Sequence, residues 1–128
     1  MIVLDASVLI AHLDADDAHN ERAAHLLEQV APSGLRASPL TIAEVLVAPA
    51  RAGRLDRALH AITTLGVGTV ALTPDAPERL ARLRASTNLK LPDCCVLFAA
   101  VSAQAAVASF DQRLIAEAER LGLSAVAS

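Results

Sequence analysis

A chain of 128 residues, 54% hydrophobic and 20% charged, has the size of one domain and too many apolar side chains to stay disordered. Its aromatic residues are Phe98 and Phe110 alone and 28 residues are alanine, so the core has to be aliphatic, with closely packed helices. Eleven basic against fourteen acidic side chains give a formal charge of −3, which argues against a binder that attracts nucleic acid through its overall charge.

No apolar run reaches the ~20 residues of a membrane span, and Asp5 interrupts Met1-Ile2-Val3-Leu4, so neither a span nor a cleaved leader is expected. Cys94 and Cys95 are adjacent, so a disulfide joining them would be strained. A reducing cytoplasm is the expected compartment.

Residues 2–4 are expected to form a short buried strand, followed directly by a helix over 7–13. Asp17 is placed as the N-cap of a helix to about Val30, with Ala23, Ala24, Leu27 and Val30 on one face. A second strand over 35–37 leads into Ser38-Pro39, N-cap and first residue of a helix through Ala48. A helix over 55–65 is closed by Gly66, a third strand covers 70–72, and Thr73-Pro74 starts a helix to about Ala85. Pro92 opens a helix that is apolar nearly all round from Cys94 to Ala106. The fourth strand is placed over 107–110; Asp111 caps a last helix ended by Gly122, and a fifth strand covers 123–126. Strands alternating with helices mean an α/β fold whose parallel sheet is covered on both faces.

In such a sheet ligands bind beyond the carboxyl ends of the strands. Asp5 follows the first strand, Asp111 the fourth, and Asp93 stands at the mouth of the apolar helix. Each of the last two could be an ordinary helix-start acid. Asp5 has apolar sequence on both sides, and Glu44 lies among Ile42, Val45 and Leu46, where a buried lone carboxylate is costly. Acids converging on one edge repel, and a hard divalent cation, Mg²⁺ or Mn²⁺, is the simplest neutraliser.

Asp5-Ala6-Ser7, Glu44, Leu91-Pro92-Asp93 and Ser109-Phe110-Asp111 follow one another at separations of 39, 49 and 18 residues between the acids. In that order and spacing the chain resembles the PIN-domain nucleases along essentially its whole length, with the VapC-type toxins of toxin–antitoxin pairs the nearest likeness. The resemblance implies a three-layer α/β/α sandwich around a five-stranded parallel sheet. It also implies a metal-dependent endoribonuclease site in which Asp5, Glu44, Asp93 and Asp111 are catalytic metal ligands and Ser7 a polar helper. It implies Mg²⁺ (with Mn²⁺ as substitute), an RNA substrate, a cognate antitoxin protein and a homodimer. Cleavage by water would leave a 5′-phosphate and a 3′-hydroxyl. Cys94-Cys95 departs from the small or aliphatic residues usual there.

Setting those four acids aside leaves eleven basic against ten acidic side chains, so overall charge no longer excludes RNA. Arg51, Arg54 and Arg57, or Arg79, Arg82 and Arg84, could meet phosphates or simply be solvated. Asp14, Asp16 and Asp17 suit a helix-capping turn better than a calcium loop, and His12, His19, His25 and His60 lack cysteine partners at zinc spacing. Two further functions fit an α/β frame. A catalytically silent PIN-like module that only binds a partner is disfavoured by the four retained acids. A phosphoacceptor receiver is disfavoured because Val3-Leu4 precede Asp5 where paired acids are needed.

Overall fold

The structure is a computed structural model and describes residues 1–126. In chain order the elements are β1 (Ile2–Leu4), α1 (Ala6–Leu13), α2 (Asn20–Val30), β2 (Leu35–Ala37), α3 (Pro39–Arg51), α4 (Leu55–Leu65) and β3 (Gly68–Thr69). They continue with α5 (Ala76–Ser86), α6 (Leu91–Ala103), β4 (Ala106–Ala108), α7 (Gln112–Arg120) and β5 (Ala125–Val126). The five strands make one parallel sheet in the order β3-β2-β1-β4-β5.

Strand alternation divides the core in two. Ile2 and Leu4 point into a cluster with Val8 and Leu9 of α1, Leu26 and Leu27 of α2, Val45 of α3 and Ile62 of α4. Val3, between them, points the other way with Val107, into Val96, Leu97 and Ala100 of α6 and Leu114 of α7. Helices therefore cover both faces, giving the expected three-layer α/β fold. Seven consecutive residues of α6, Cys94 to Ala100, are buried, as its all-round apolar sequence requires.

Several local signals act as read. Ser38 caps α3 by accepting from Leu40 N at 3.3 Å, with Pro39 behind it; Gly66 closes α4 in the left-handed region at φ 80°; Asp111 caps α7 by accepting from Arg113 N at 2.9 Å. Gly122, at φ 82°, turns the chain after α7.

Other boundaries move. Asp17 does not cap α2: its carboxylate accepts from His19 N at 2.8 Å, forming the turn before the helix, and Asn20 starts α2 by donating to Ala11 O and His12 O. The buried stripe is Ala23, Leu26, Leu27 and Val30; Ala24 is exposed, because rotating the helix toward Leu26 buries more apolar surface. The third strand is Gly68–Thr69 rather than 70–72, since its register is set by Arg36 and Ala37 of β2. Helix α5 waits for Ala76, after a turn in which the Thr73 hydroxyl bonds the Asp75 carboxylate. Helix α3 runs through Pro49 to Arg51, α6 starts at Leu91, and β5 shortens to two residues. Strand β4 stops at Ala108, so Ser109, Phe110 and Asp111 form the connection into α7.

Candidate active site

Chain order reverses between β1 and β4: β2 and β3 extend the sheet on one side, β4 and β5 on the other. The crevice beyond the carboxyl ends of these two strands is the place where such a sheet binds ligands. Asp5 leaves β1 there, its backbone N–H donating to Ala108 O at 3.0 Å, and the Ser109-Phe110-Asp111 connection leaves β4 beside it.

Asp5 is 6% exposed. It precedes α1 yet makes no side-chain cap. Its Oδ2 instead accepts from Ser7 Oγ and Ser109 Oγ, each at 2.7 Å. Ser7 Oγ in turn accepts from Phe110 N at 3.2 Å, and Ser109 Oγ from Asp111 N at 2.9 Å. Two hydroxyls thus tie β1, α1 and the β4–α7 connection to one carboxylate oxygen. Ser109, fully buried, is the site residue that sequence reasoning left without a role; the signal was a lone small polar residue closing an apolar strand two positions before an acid.

Glu44 corrects the expectation of a buried carboxylate. Helix α3 buries only Thr41 and Val45, and Glu44 is exposed along its flank where it joins Ile10, Leu13 and Val45 in lining a groove of about 460 Å³. The groove still removes part of its hydration, and this, with the charges of Asp5 and Asp93, raises its pKa above the usual glutamate value. Asp93, half-buried in the first turn of α6, is also raised, by desolvation first and then by Asp5 and Asp111, against a smaller lowering from Arg113. Asp111 is half-buried and spends Oδ1 on capping α7.

The four acids therefore feel one another: Asp5 acts on Glu44 and Asp93, Asp93 on Glu44, and Asp111 on Asp93. Among the described residues, no three His, Cys, Asp or Glu side chains stand close enough as placed to hold one ion between them. The donor chemistry nonetheless fits Mg²⁺ or Mn²⁺: all four are hard carboxylate oxygens with mutual repulsion to relieve. Mg²⁺ commonly takes one or two carboxylates and keeps several waters.

Around this edge, Phe110 packs under Arg22, whose guanidinium lies 4.7 Å from the ring centroid, beside His19 at 5.7 Å. The two arginine groups differ. Arg79 and Arg82 are paired with Asp75 and Glu78 of their own helix region, whereas Arg54 and Arg57 line the groove that holds Glu44. Cys94 and Cys95 are free and buried, and burial raises both thiols, so neither is an activated nucleophile. No described helix is long and apolar enough to cross a membrane.

Several solved structures share this fold, toxin–antitoxin proteins among them. A toxin–antitoxin complex from Klebsiella pneumoniae is similar at a TM-score of 0.76 and 24% identity, over 91% of each chain. VapC20 of Mycobacterium tuberculosis, a sarcin-ricin loop cleaving toxin, is similar at 0.75 and 20% identity, over 91% of this chain and 95% of that one. VapBC2 of Rickettsia felis, bound to a promoter DNA fragment, is similar at 0.73 and 14% identity, over 100% and 99%. Among curated proteins none matches the chain. The family profile described as PIN domain matches residues 2–121, nearly the whole length, and the chain belongs to the PIN domain family.

Proposed function

We propose that this chain is a divalent-metal-dependent endoribonuclease acting as the toxin of a toxin–antitoxin pair. The observation that carries the reading is Asp5: a carboxylate 6% exposed, at the switch point of the sheet, bonded to two hydroxyls and felt by Glu44 and Asp93. A buried carboxylate beside other acids that repel it is unfavourable for stability alone. Membership of the PIN family and the likeness in fold to toxins, one of them a sarcin-ricin loop cleaving toxin, support the same conclusion.

In this reading Asp5, Glu44, Asp93 and Asp111 would hold one or two Mg²⁺ ions, or Mn²⁺ in their place. The cation supplies Lewis-acid neutralisation of phosphate charge and a lowered pKa for water. The chain's own part is positioning. Ser7 and Ser109 hold Asp5 Oδ2 in one orientation through their two hydrogen bonds. Glu44 comes from α3, and Asp93 and Asp111 from the helix starts of α6 and α7. Hydrolysis adds water across the phosphodiester, breaking the bond to the 3′ oxygen and leaving a 5′-phosphate and a 3′-hydroxyl. The partners are RNA as substrate, a cognate antitoxin protein and a second copy of the chain, in the cytoplasm.

Calorimetric titration of Mn²⁺ into wild type and Asp93→Asn, followed by RNA cleavage with wild type and Asp5→Asn, tests this. Saturable Mn²⁺ binding that collapses in Asp93→Asn, and cleavage that falls more than about 100-fold in Asp5→Asn at unchanged circular dichroism, are expected. Full activity in Asp5→Asn rejects the reading. Absence of metal binding in both proteins leaves the catalytically silent partner-binding module in its place.

A further inference from the structure

Arg113 is the second residue of α7, next to the acid cluster and not explained by the cap it sits beside. Its backbone N–H caps normally onto Asp111 Oδ1 at 2.9 Å, but its Nε stands 3.7 Å from the same oxygen, too far for a hydrogen bond. The side chain is 76% exposed, so it has room to swing. Its charge also reaches Asp93, where it opposes the rise caused by burial and by Asp5 and Asp111.

Stability does not account for it. A cation in the first turn of a helix meets the positive end of the dipole, and an exposed, poorly aligned pair contributes little. Arg82 and Arg120 are different: each is paired with a glutamate of its own helix, at 2.6 Å and 2.7 Å. Arg113 is a loosely tethered guanidinium beside Asp111 and within electrostatic reach of Asp93, where a phosphodiester would have to lie for those acids to act on it. Planar bidentate donation to phosphate is what an arginine supplies and a lysine does not.

We propose that Arg113 is the phosphate-binding residue of this site, leaning on Asp111 in the free protein and turning to the RNA backbone when a strand occupies the crevice. The assignment rests on the nuclease reading above for its substrate, though not for its test.

Three variants separate the outcomes: Arg113→Gln, Arg113→Lys, and Arg120→Gln as the same charge change at the far end of α7. Binding of a labelled single-stranded oligoribonucleotide is followed by fluorescence anisotropy in metal-free buffer over a range of salt. Mn²⁺ binding without RNA is followed by calorimetry. In Arg113→Gln, RNA affinity should fall about tenfold and the slope of log Kd against log salt should flatten by about 0.7, the loss of one phosphate contact on a single strand. Mn²⁺ should bind severalfold more tightly, because a positive charge has left the cluster. Arg113→Lys should restore the salt slope and only part of the affinity, and Arg120→Gln should match wild type within about twofold.

A wild-type salt slope in Arg113→Gln, an equal effect in Arg120→Gln, or no RNA binding by wild type overturns the assignment. If Arg113→Gln behaves as expected but wild type cleaves nothing in Mn²⁺, the nuclease reading falls and the phosphate contact stands. If wild type cleaves and Arg113→Gln binds and cleaves equally well, the phosphate contact falls alone.

Discussion

Ser109 Oγ donates to Asp5 Oδ2 at 2.7 Å, joining two buried side chains 104 positions apart in the chain. The same hydroxyl accepts from Asp111 N at 2.9 Å, so one serine orients two of the four acids, one by its side chain and one by its backbone. It serves both because β1 and β4 are parallel neighbours ending at the same level, Leu4 opposite Ala108.

Ser109→Ala removes a hydrogen bond to a buried carboxylate and leaves Asp111 N without its acceptor. Urea unfolding should show a loss of about 1.5–3 kcal/mol, the range for bonds to charged groups. RNA cleavage should fall with it, since Asp5 loses half of its support. Unchanged stability would mean that Ser7 alone is enough to hold Asp5.

Glu44 and Asp93 have pKa values raised in the folded protein. A raised carboxyl pKa favours the protonated form on folding. The stability it contributes is complete below the unfolded-state pKa and is lost as pH rises through the folded one. At neutral pH, without divalent cations, both carboxylates therefore oppose folding. Asp93→Asn should raise the melting temperature by a few degrees at neutral pH and Glu44→Gln by less, because Glu44 is exposed and its charge is screened by water, and either gain should vanish below the ordinary carboxylate range. Thermal melts at two pH values decide this; a gain that persists in acid contradicts the charge explanation.

Cys94 and Cys95 are 0% and 2% exposed, and burial pushes both thiols up, Cys95 also through Cys94 and Glu44. Reaction with a chromogenic disulfide reagent should be slow in the native protein and reach two thiols per chain in denaturant. Rapid native labelling would show that α6 opens locally.

Leu40 and Val47 on α3 and Leu55 and Leu59 on α4 are exposed. Light scattering on the purified chain should give the mass of two copies at micromolar concentration, as the proposed homodimer requires. A monomer there removes the homodimer.

Much of this was legible because it is local. Ser38-Pro39, Gly66 and Asp111 act on backbone groups within four residues of themselves, so their capping roles follow from residue type and neighbours. The alternation of Ile2 and Leu4 against Val3 needs only the two-residue period of a strand. Asp17 failed as a cap because a competing local bond, to His19 N, made a turn instead, and Ala24 failed as a core residue because Leu26 buries more surface. Glu44 was read as buried from its apolar neighbours in sequence, yet Ile42 and Leu46 pack only partly against the core, and Thr41 and Val45 alone in α3 are fully buried.

The α/β class and most helix starts and stops are legible in the chain alone, since each depends on residue type and short-range period. Only the tertiary structure decided that β1 and β4 lie side by side, that Ser109 reaches Asp5, that Glu44 opens onto a groove, and that Arg113 comes within electrostatic reach of Asp93. Those relations join residues tens of positions apart, and strand order and helix packing set such distances, with no trace in local sequence.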